Sequence, residues 1–278
     1  MRNGRLPVDG AKLYYEVRGS GPALLMIVGA GGDGGMYDGL ADVLSDAFTV
    51  ITYDRRGNAR STGRGVATTL AQQASDAKAL INELAGGKAL VFGNSGGAIV
   101  GLTLAAQHPE AVRGLIAHEP PAVLALPEGD PEREWFNKMG ELYAAKGPAA
   151  TGAAFGASVR GEGTYAWPES MAWRAAGSAE QLFGTEWPMW SGFVPDYEAL
   201  SKAEFPIVLG AGSADRGTYY ARPSLLIAQR IGAAWAEFPG IHLEFIPRPA
   251  IFGAALRALA TTMQSRISSV PEQWTSEA

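Results

Sequence analysis

Hydrophobic and polar positions along the chain fall into two alternating periods. Residues 5–8 and 11–18 alternate in the manner of a hairpin turned at Asp9-Gly10. Ala23 to Val28 and Phe48 to Tyr53 are short, continuous apolar runs, as expected of strands buried on both faces. Met36 to Asp46 reads as a helix between them. Thr68 to Leu84 repeats apolar residues at helical spacing through Leu70, Ala74, Ala77, Ile81 and Leu84. A strand over 88–92, a helix over 96–107 and a strand over 112–118 follow. This alternation predicts an α/β architecture, a mostly parallel central sheet flanked by crossover helices.

After Pro120-Pro121 the pattern changes. Residues 122–200 read as helices and loops rich in Ala, Gly, Trp and Pro, and hold five of the seven tryptophans (Trp135, Trp167, Trp173, Trp187 and Trp190). The sheet pattern resumes at Phe205–Gly210. A helix near 219–231, a strand near 234–238 and a helix near 250–266 follow. An insertion between late strands of a parallel sheet lies over the strands' carboxyl ends, where ligands bind. The expected organisation is a core of residues 1–121 and 201–278, with a helical cap of residues 122–200. No internal repeat or low-complexity tract interrupts it.

Composition removes several function classes. The 278 residues carry a net charge of −5, so no basic excess points to nucleic acid or an anionic membrane. The absence of cysteine excludes disulfides, thiolate metal sites and a cysteine nucleophile. The first residues lack an apolar stretch of signal-peptide length, and the Ala23–Val28 run is too short to span a bilayer. The expectation is a soluble, cytoplasmic protein, with a homodimer left open.

Chemistry enters at Gly93-Asn94-Ser95-Gly96-Gly97, a G-x-S-x-G that follows a predicted strand and leads into a predicted helix. The bare motif also arises by chance as a glycine-rich turn. In this context the serine is expected to stand on a tight strand-to-helix turn, with the Gly96 N–H at a helix start. Ser95 is therefore the candidate nucleophile. A serine needs a base, and only His108, His118 and His242 exist. His108 precedes Pro109 at a helix end, and His118 closes a buried strand, where a satisfied structural role is expected. His242 lies on a loop after the last strand, at the edge expected to carry Ser95, and is the candidate base.

Two residues could orient that base. Glu119 follows the 112–118 strand ahead of two prolines, and Asp215 follows the next strand of the sheet. Asp215 has a ready alternative role as a turn or helix-cap residue. A carboxylate beside a buried strand needs a partner, which favours Glu119 and leaves Asp215 as the alternative acid. The second oxyanion donor is expected from the loop Val28-Gly29-Ala30-Gly31-Gly32, with the Ala30 N–H joining that of Gly96. Gly29 and Gly31 are expected to line the substrate. The same loop spells G-x-G-x-x-G over 29–34, with Asp54 ending the next strand, which taken alone suggests an NAD-dependent oxidoreductase. That reading leaves Ser95 and His242 unexplained. A ligand receptor without turnover is a further alternative.

Over nearly its whole length the chain resembles the α/β-hydrolase superfamily. The resemblance is carried by Tyr14–Pro22, by Tyr53-Asp54-Arg55-Arg56-Gly57-Asn58-Ala59-Arg60-Ser61, by the Ser95 turn, by His108–Val112 and by Pro239-Gly240-Ile241-His242. More narrowly it resembles the fungal zearalenone lactonases, in Met36-Tyr37-Asp38, His118-Glu119-Pro120-Pro121 and Pro188-Met189-Trp190. A bacterial group of uncharacterised hydrolases shares the His-Glu-Pro-Pro segment. The resemblance implies an α/β-hydrolase fold, Glu119 as the triad acid and Trp190 against the substrate. The chain departs from it in having Val28-Gly29 where most members place His-Gly, and in keeping an Asp215 segment of the more usual acid type. A serine, unlike the aspartate of related dehalogenases and epoxide hydrolases, implies acyl transfer. The expectation is a cofactor-free, metal-free esterase or lactonase acting on a small apolar or aromatic ester.

Overall fold

The structure, a computed structural model, describes residues 1–159 and 178–268. Its centre is one eight-stranded sheet in the order β1-β2-β4-β3-β5-β6-β7-β8. The strands are β1 (Arg2–Val8), β2 (Ala11–Arg18), β3 (Ala23–Ile27), β4 (Thr49–Tyr53), β5 (Ala89–Asn94), β6 (Val112–His118), β7 (Ile207–Gly212) and β8 (Ala234–Phe238). The first two pair antiparallel, β2 also pairs antiparallel with β4, and every later pairing is parallel. The sheet therefore matches the pattern read from the sequence.

Strand periodicity explains why the central runs are apolar without interruption. In β3, Leu25 and Ile27 face one core while Leu24 and Met26 face the other. In β5, Ala89 and Val91 share the first core, and Leu90 and Phe92 the second. Side chains alternate at period two, so a strand covered on both faces needs an apolar residue at every position. The first core is closed by α2 (Leu70–Ala85), α3 (Gly96–Gln107) and α8 (Arg222–Ile231). The second is closed by α1 (Asp38–Leu44) and α9 (Pro249–Ser268). The helix expected over 36–46 begins with a 3₁₀ turn at Gly34–Tyr37, where the Asp33 side chain accepts the Gly35 N–H. Three glycines (Gly32, Gly34 and Gly35) so close to this start weaken an α-helical first turn.

Among the described residues of 122–200 there is no strand. The segment holds α4 (Pro131–Ser158), α5 (Ala179–Gln181), a π turn at Leu182–Glu186, α6 (Trp187–Ser191) and α7 (Tyr197–Ser201). Helix α4 breaks at Gly147, whose φ of 74° lies outside the helical region, and Pro148 opens its second half. Aromatic rings hold these pieces together. Trp187 stacks on Phe136 at 4.5 Å between centroids and packs on Phe183 at 4.9 Å. Trp135 stacks on Tyr219 of the core at 5.1 Å. Trp167 and Trp173 lie outside the described residues. No described helix is long and apolar enough to cross a membrane.

The tightest packing in the sheet surrounds the turn at Ser95. A methyl group on Gly97 would fall 1.9 Å from the Ile27 carbonyl oxygen, and one on Gly93 would fall 2.3 Å from that of Gly97. Helix α3 therefore starts in backbone contact with β3, which only glycine allows. Gly97→Ala is expected to cost about 3 kcal/mol or more in a urea melt, or to prevent folding. Gly86→Ala, at an open helix end with φ of 66°, should cost only about 1–2 kcal/mol.

Candidate active site

Ser95 is the pivot between β5 and α3. Its φ of 58° and ψ of −128° lie in a region that side chains normally avoid, and its N–H is bonded to the His118 carbonyl at 2.9 Å. Backbone strain of this kind costs on the order of 1–3 kcal/mol and persists where the surroundings fix it. Three described non-glycine residues have positive φ: Ala59, Ser95 and Glu119. Two of the three are sequence-predicted site residues.

Glu119 follows β6 with φ of 50°, its N–H bonded to the Gly210 carbonyl at 2.9 Å. This turn drives the side chain beneath the loop that carries His242. Glu119 Oε2 lies 2.6 Å from His242 Nδ1, and Oε1 accepts the Gly212 N–H at 2.7 Å. The carboxylate is fully buried and His242 is nearly so. Burial drives the Glu119 pKa upward. The neighbouring His118, His242 and the Gly212 N–H outweigh it, and the pKa lies below the ordinary glutamate value. An anion facing Nδ1 keeps the proton on that nitrogen and leaves Nε2 as the basic one.

The His242 loop is fixed from two further sides. Asn94, next to Ser95, donates to the His242 carbonyl at 3.2 Å and contacts His118 Nδ1 at 2.9 Å. Glu244 accepts the Ile241 N–H at 3.1 Å. The Tyr220 ring lies 4.1 Å from the His242 ring. His118 differs from expectation in one respect. Its Nε2 is buried without a hydrogen-bond partner among the described residues, and its ring packs edge-on against those of Phe238 and Phe252. Burial pushes the His118 pKa down to about 4, so the ring is neutral near neutral pH. His108 caps the end of α3 through its backbone, as read from the sequence.

Asp215 lies in the same cluster but does not bond the His242 ring. It is buried, and its Oδ2 has no hydrogen-bond partner among the described residues. Burial and the Glu119 charge push its pKa up to about 6, against the opposing pull of His242 and Tyr220. The geometry thus joins Glu119, and not Asp215, to the His242 ring.

The loop after β3 packs onto the Ser95 turn. A methyl on Gly29 would fall 2.7 Å from Ser95 Cβ and 3.1 Å from the Gly96 nitrogen, so only glycine fits. Ala30 follows on the same loop, and Gly31, at φ of 84°, faces Ser178 of the insertion. Trp190 closes over Gly96, with its Cη2 3.3 Å from where a methyl there would lie. The glycine fingerprint over 29–34 is thereby absorbed. Asp54 Oδ1 accepts the Gly34 N–H at 2.8 Å and binds Arg60 Nη2 at 2.8 Å, while Oδ2 binds Arg60 Nε at 2.6 Å. Both carboxylate oxygens serve the loop's own structure, and the helical turn that starts at Gly34 is a 3₁₀ turn capped by the Asp33 side chain.

Sequence reasoning missed Arg55 and Glu186. Both are fully buried and pair at 2.8 Å, Glu186 reaching in from the insertion. The signal was present as a charged pair in the turn Arg55-Arg56 and a lone glutamate among the aromatic residues 183–190.

Asp215 carries a pH prediction. Its folded-state pKa exceeds the ordinary 3.8, so the folded protein holds the proton more tightly than the unfolded chain. The associated stability is present below about pH 4 and is lost as pH rises through about 6. Asp215→Asn should therefore raise Tm over wild type at about pH 7.5 and give little gain at about pH 4. Equal changes at both pH values would contradict the assignment.

Comparison with known proteins bears on the family and the fold. Residues 22–227 match the model of the alpha/beta hydrolase fold family. An uncharacterised hydrolase of Bacillus subtilis, YraK, is 32% identical over 255 residues, 88% of this chain and 91% of its own. A thermophilic esterase from Thermogutta terrifontis superposes with a TM-score of 0.77 at 19% identity, over 95% of this chain and 99% of that one. The enol-lactonase from Burkholderia xenovorans gives a TM-score of 0.74 at 20% identity, over 93% and 100%. At such identities the two superpositions speak for the fold. With its eight-stranded sheet, helical insertion and serine turn, the chain belongs to the α/β-hydrolase family and is a hydrolase of that fold.

Proposed function

We propose that the protein is a serine hydrolase that cleaves a carboxylic ester or lactone through an acyl-enzyme. The observation that carries this reading is the 2.6 Å bond between buried Glu119 and His242 Nδ1, beside a serine held in strained backbone. In this reading His242 takes the Ser95 proton as the hydroxyl attacks the substrate carbonyl. The Ala30 and Gly96 N–H groups stabilise the oxyanion, and His242 returns the proton to the leaving alcohol. Water then cleaves the acyl-enzyme by the same route. For a lactone the leaving alcohol stays attached, so water competes with ring closure.

An apolar or aromatic substrate is favoured by Trp190, buried against Gly96, and by the other aromatic rings of the insertion, Phe183 and Trp187, in the same apolar core. The lactone branch draws on the resemblance of residues 36–38, 118–121 and 188–190 to the zearalenone lactonases. It makes zearalenone the first lactone to test.

Mass-detected turnover of zearalenone, run beside a p-nitrophenyl ester, tests the reading. Ser95→Ala should lower kcat on the order of 10⁶-fold on whichever ester is cleaved, and retained activity in a clean preparation would sink the mechanism. Cleavage of the simple ester alone would keep the hydrolase and discard the zearalenone branch. Inertness toward both, with a ligand bound, would favour a receptor.

The acid is tested separately. Glu119→Gln should cost ~10²–10⁴-fold in kcat, and Asp215→Asn less than ~10-fold. The reverse ranking would move the acid to Asp215. Trp190→Ala should raise KM for an aromatic ester more than for a small acetate, and equal effects would make Trp190 structural.

A further inference from the structure

Arg55 is a fully buried cation, and none of the steps above uses it. Its Nε lies 3.1 Å from the Val28 carbonyl oxygen and 3.3 Å from that of Gly29. Its Nη2 donates to the Gly29 oxygen at 3.0 Å and to Glu186 Oε2 at 2.8 Å. Its main-chain N–H is bonded to the Gly32 carbonyl at 2.7 Å. The guanidinium also sits 5.0 Å from the Trp190 ring centroid. One side chain therefore joins the loop after β3, the end of β4 and the insertion.

The Gly29 carbonyl is the informative contact. It takes two guanidinium donors and also the Gly32 N–H at 3.1 Å, so its direction is over-determined. This oxygen and the Ala30 N–H belong to one peptide unit. The unit is planar and, like every described peptide bond here, trans, so its N–H points opposite to its C=O. Whatever fixes the Gly29 oxygen aims the Ala30 N–H. The same peptide lies on the reacting groups, since Gly29 packs against Ser95 Cβ and the Gly96 nitrogen.

Glu186 explains how a guanidinium is kept in this position. A buried charge requires a buried partner, and Glu186 supplies it from the π turn that leads into Trp190. Its second oxygen accepts from Asn58 Nδ2 at 2.7 Å, and the Asn58 side chain in turn occupies the space beside Gly32. Single π turns are frequent at functional positions.

Resting on the acyl-transfer reading above, we propose that Arg55 is a positioning residue for the oxyanion hole. By gripping the Gly29 carbonyl it aims the Ala30 N–H at the oxyanion, and its pair with Glu186 makes that aim depend on the seating of the insertion. A plain latch between insertion and core would affect substrate binding and stability. A positioning role acts on the transition state, and so on kcat.

The test compares Arg55→Lys, Arg55→Ala and Glu186→Gln with wild type on a p-nitrophenyl ester, each first shown to be folded by its thermal melt. Arg55→Lys keeps the charge but replaces the planar fork by a point donor. It should lower kcat on the order of 10²-fold while KM stays within about threefold, as for loss of one oxyanion donor. Arg55→Ala should fall at least as far and recover in part on addition of methylguanidinium. Glu186→Gln, with the guanidinium left without its anion, should lose kcat in the same sense. Inhibition by a phenylboronic acid, which forms a tetrahedral adduct on a serine, should weaken in step with kcat.

Wild-type kcat in a folded Arg55→Lys variant would overturn the proposal. So would a loss confined to KM with no rescue, which would leave Arg55 as a latch. Wild-type protein without Ser95-dependent hydrolysis would remove the acyl-transfer reading itself, and this proposal with it.

Discussion

The packing of three backbones at one point governs the rest of this molecule. Helix α3 meets β3 where Gly97 touches the Ile27 carbonyl, and the loop after β3 meets Ser95 where Gly29 leaves no room for a side chain. Between these contacts Ser95 is forced to a φ of 58° at the N-terminus of α3. The contact reaches further than the turn. The Ser95 N–H binds the His118 carbonyl, which ends β6, and Glu119 leaves that strand in positive φ toward His242. Register along β5, β6 and β7 thus sets the distance between the serine and its neighbours.

A second constraint is electrostatic. Glu119, Asp215, His118 and His242 are all buried within one cluster, where unpaired charge is expensive. The arrangement resolves this by giving each group a different fate. Glu119 stays ionised against His242 and the Gly212 N–H, His118 is held neutral by burial, and Asp215 titrates at about 6. Groups whose surroundings push their pKa values apart can carry different roles in one site. On the other side of Ser95 the Arg55–Glu186 pair repeats the device, balancing one buried cation with one buried anion from the insertion.

Much of this was legible in the sequence, for physical reasons. Strands covered on both faces must be apolar throughout, so β3, β4, β5, β6 and β7 announced themselves, and their alternation with helical spacing gave the architecture. The Ser95 turn was readable because so tight a strand-to-helix turn needs glycine on both sides. Glu119 was favoured over Asp215 because a carboxylate at a buried strand end needs a partner, and the 2.6 Å bond to His242 supplies one. The glycines at 29–34 misled in part, since tight backbone approach calls for glycine whether the neighbour is a pyrophosphate or a serine. What distinguishes the two is Asp54, whose oxygens are taken up by Arg60 and the Gly34 N–H. Arg55 and Glu186 stayed hidden because they are far apart in sequence, and a single charge in a polar turn looks solvated until the insertion folds over it. The orphaned Nε2 of His118 likewise depends on Phe238 and Phe252, which no local pattern connects to it.

The central claim is that Ser95 is the atom source for a covalent intermediate, and labelling tests it most directly. Wild-type protein treated with a fluorophosphonate should gain one phosphonyl group, mapped to Ser95 by peptide mass, with ester hydrolysis falling in proportion to the label. An unmodified Ser95, a label on another residue, or hydrolysis that survives complete labelling would contradict the account.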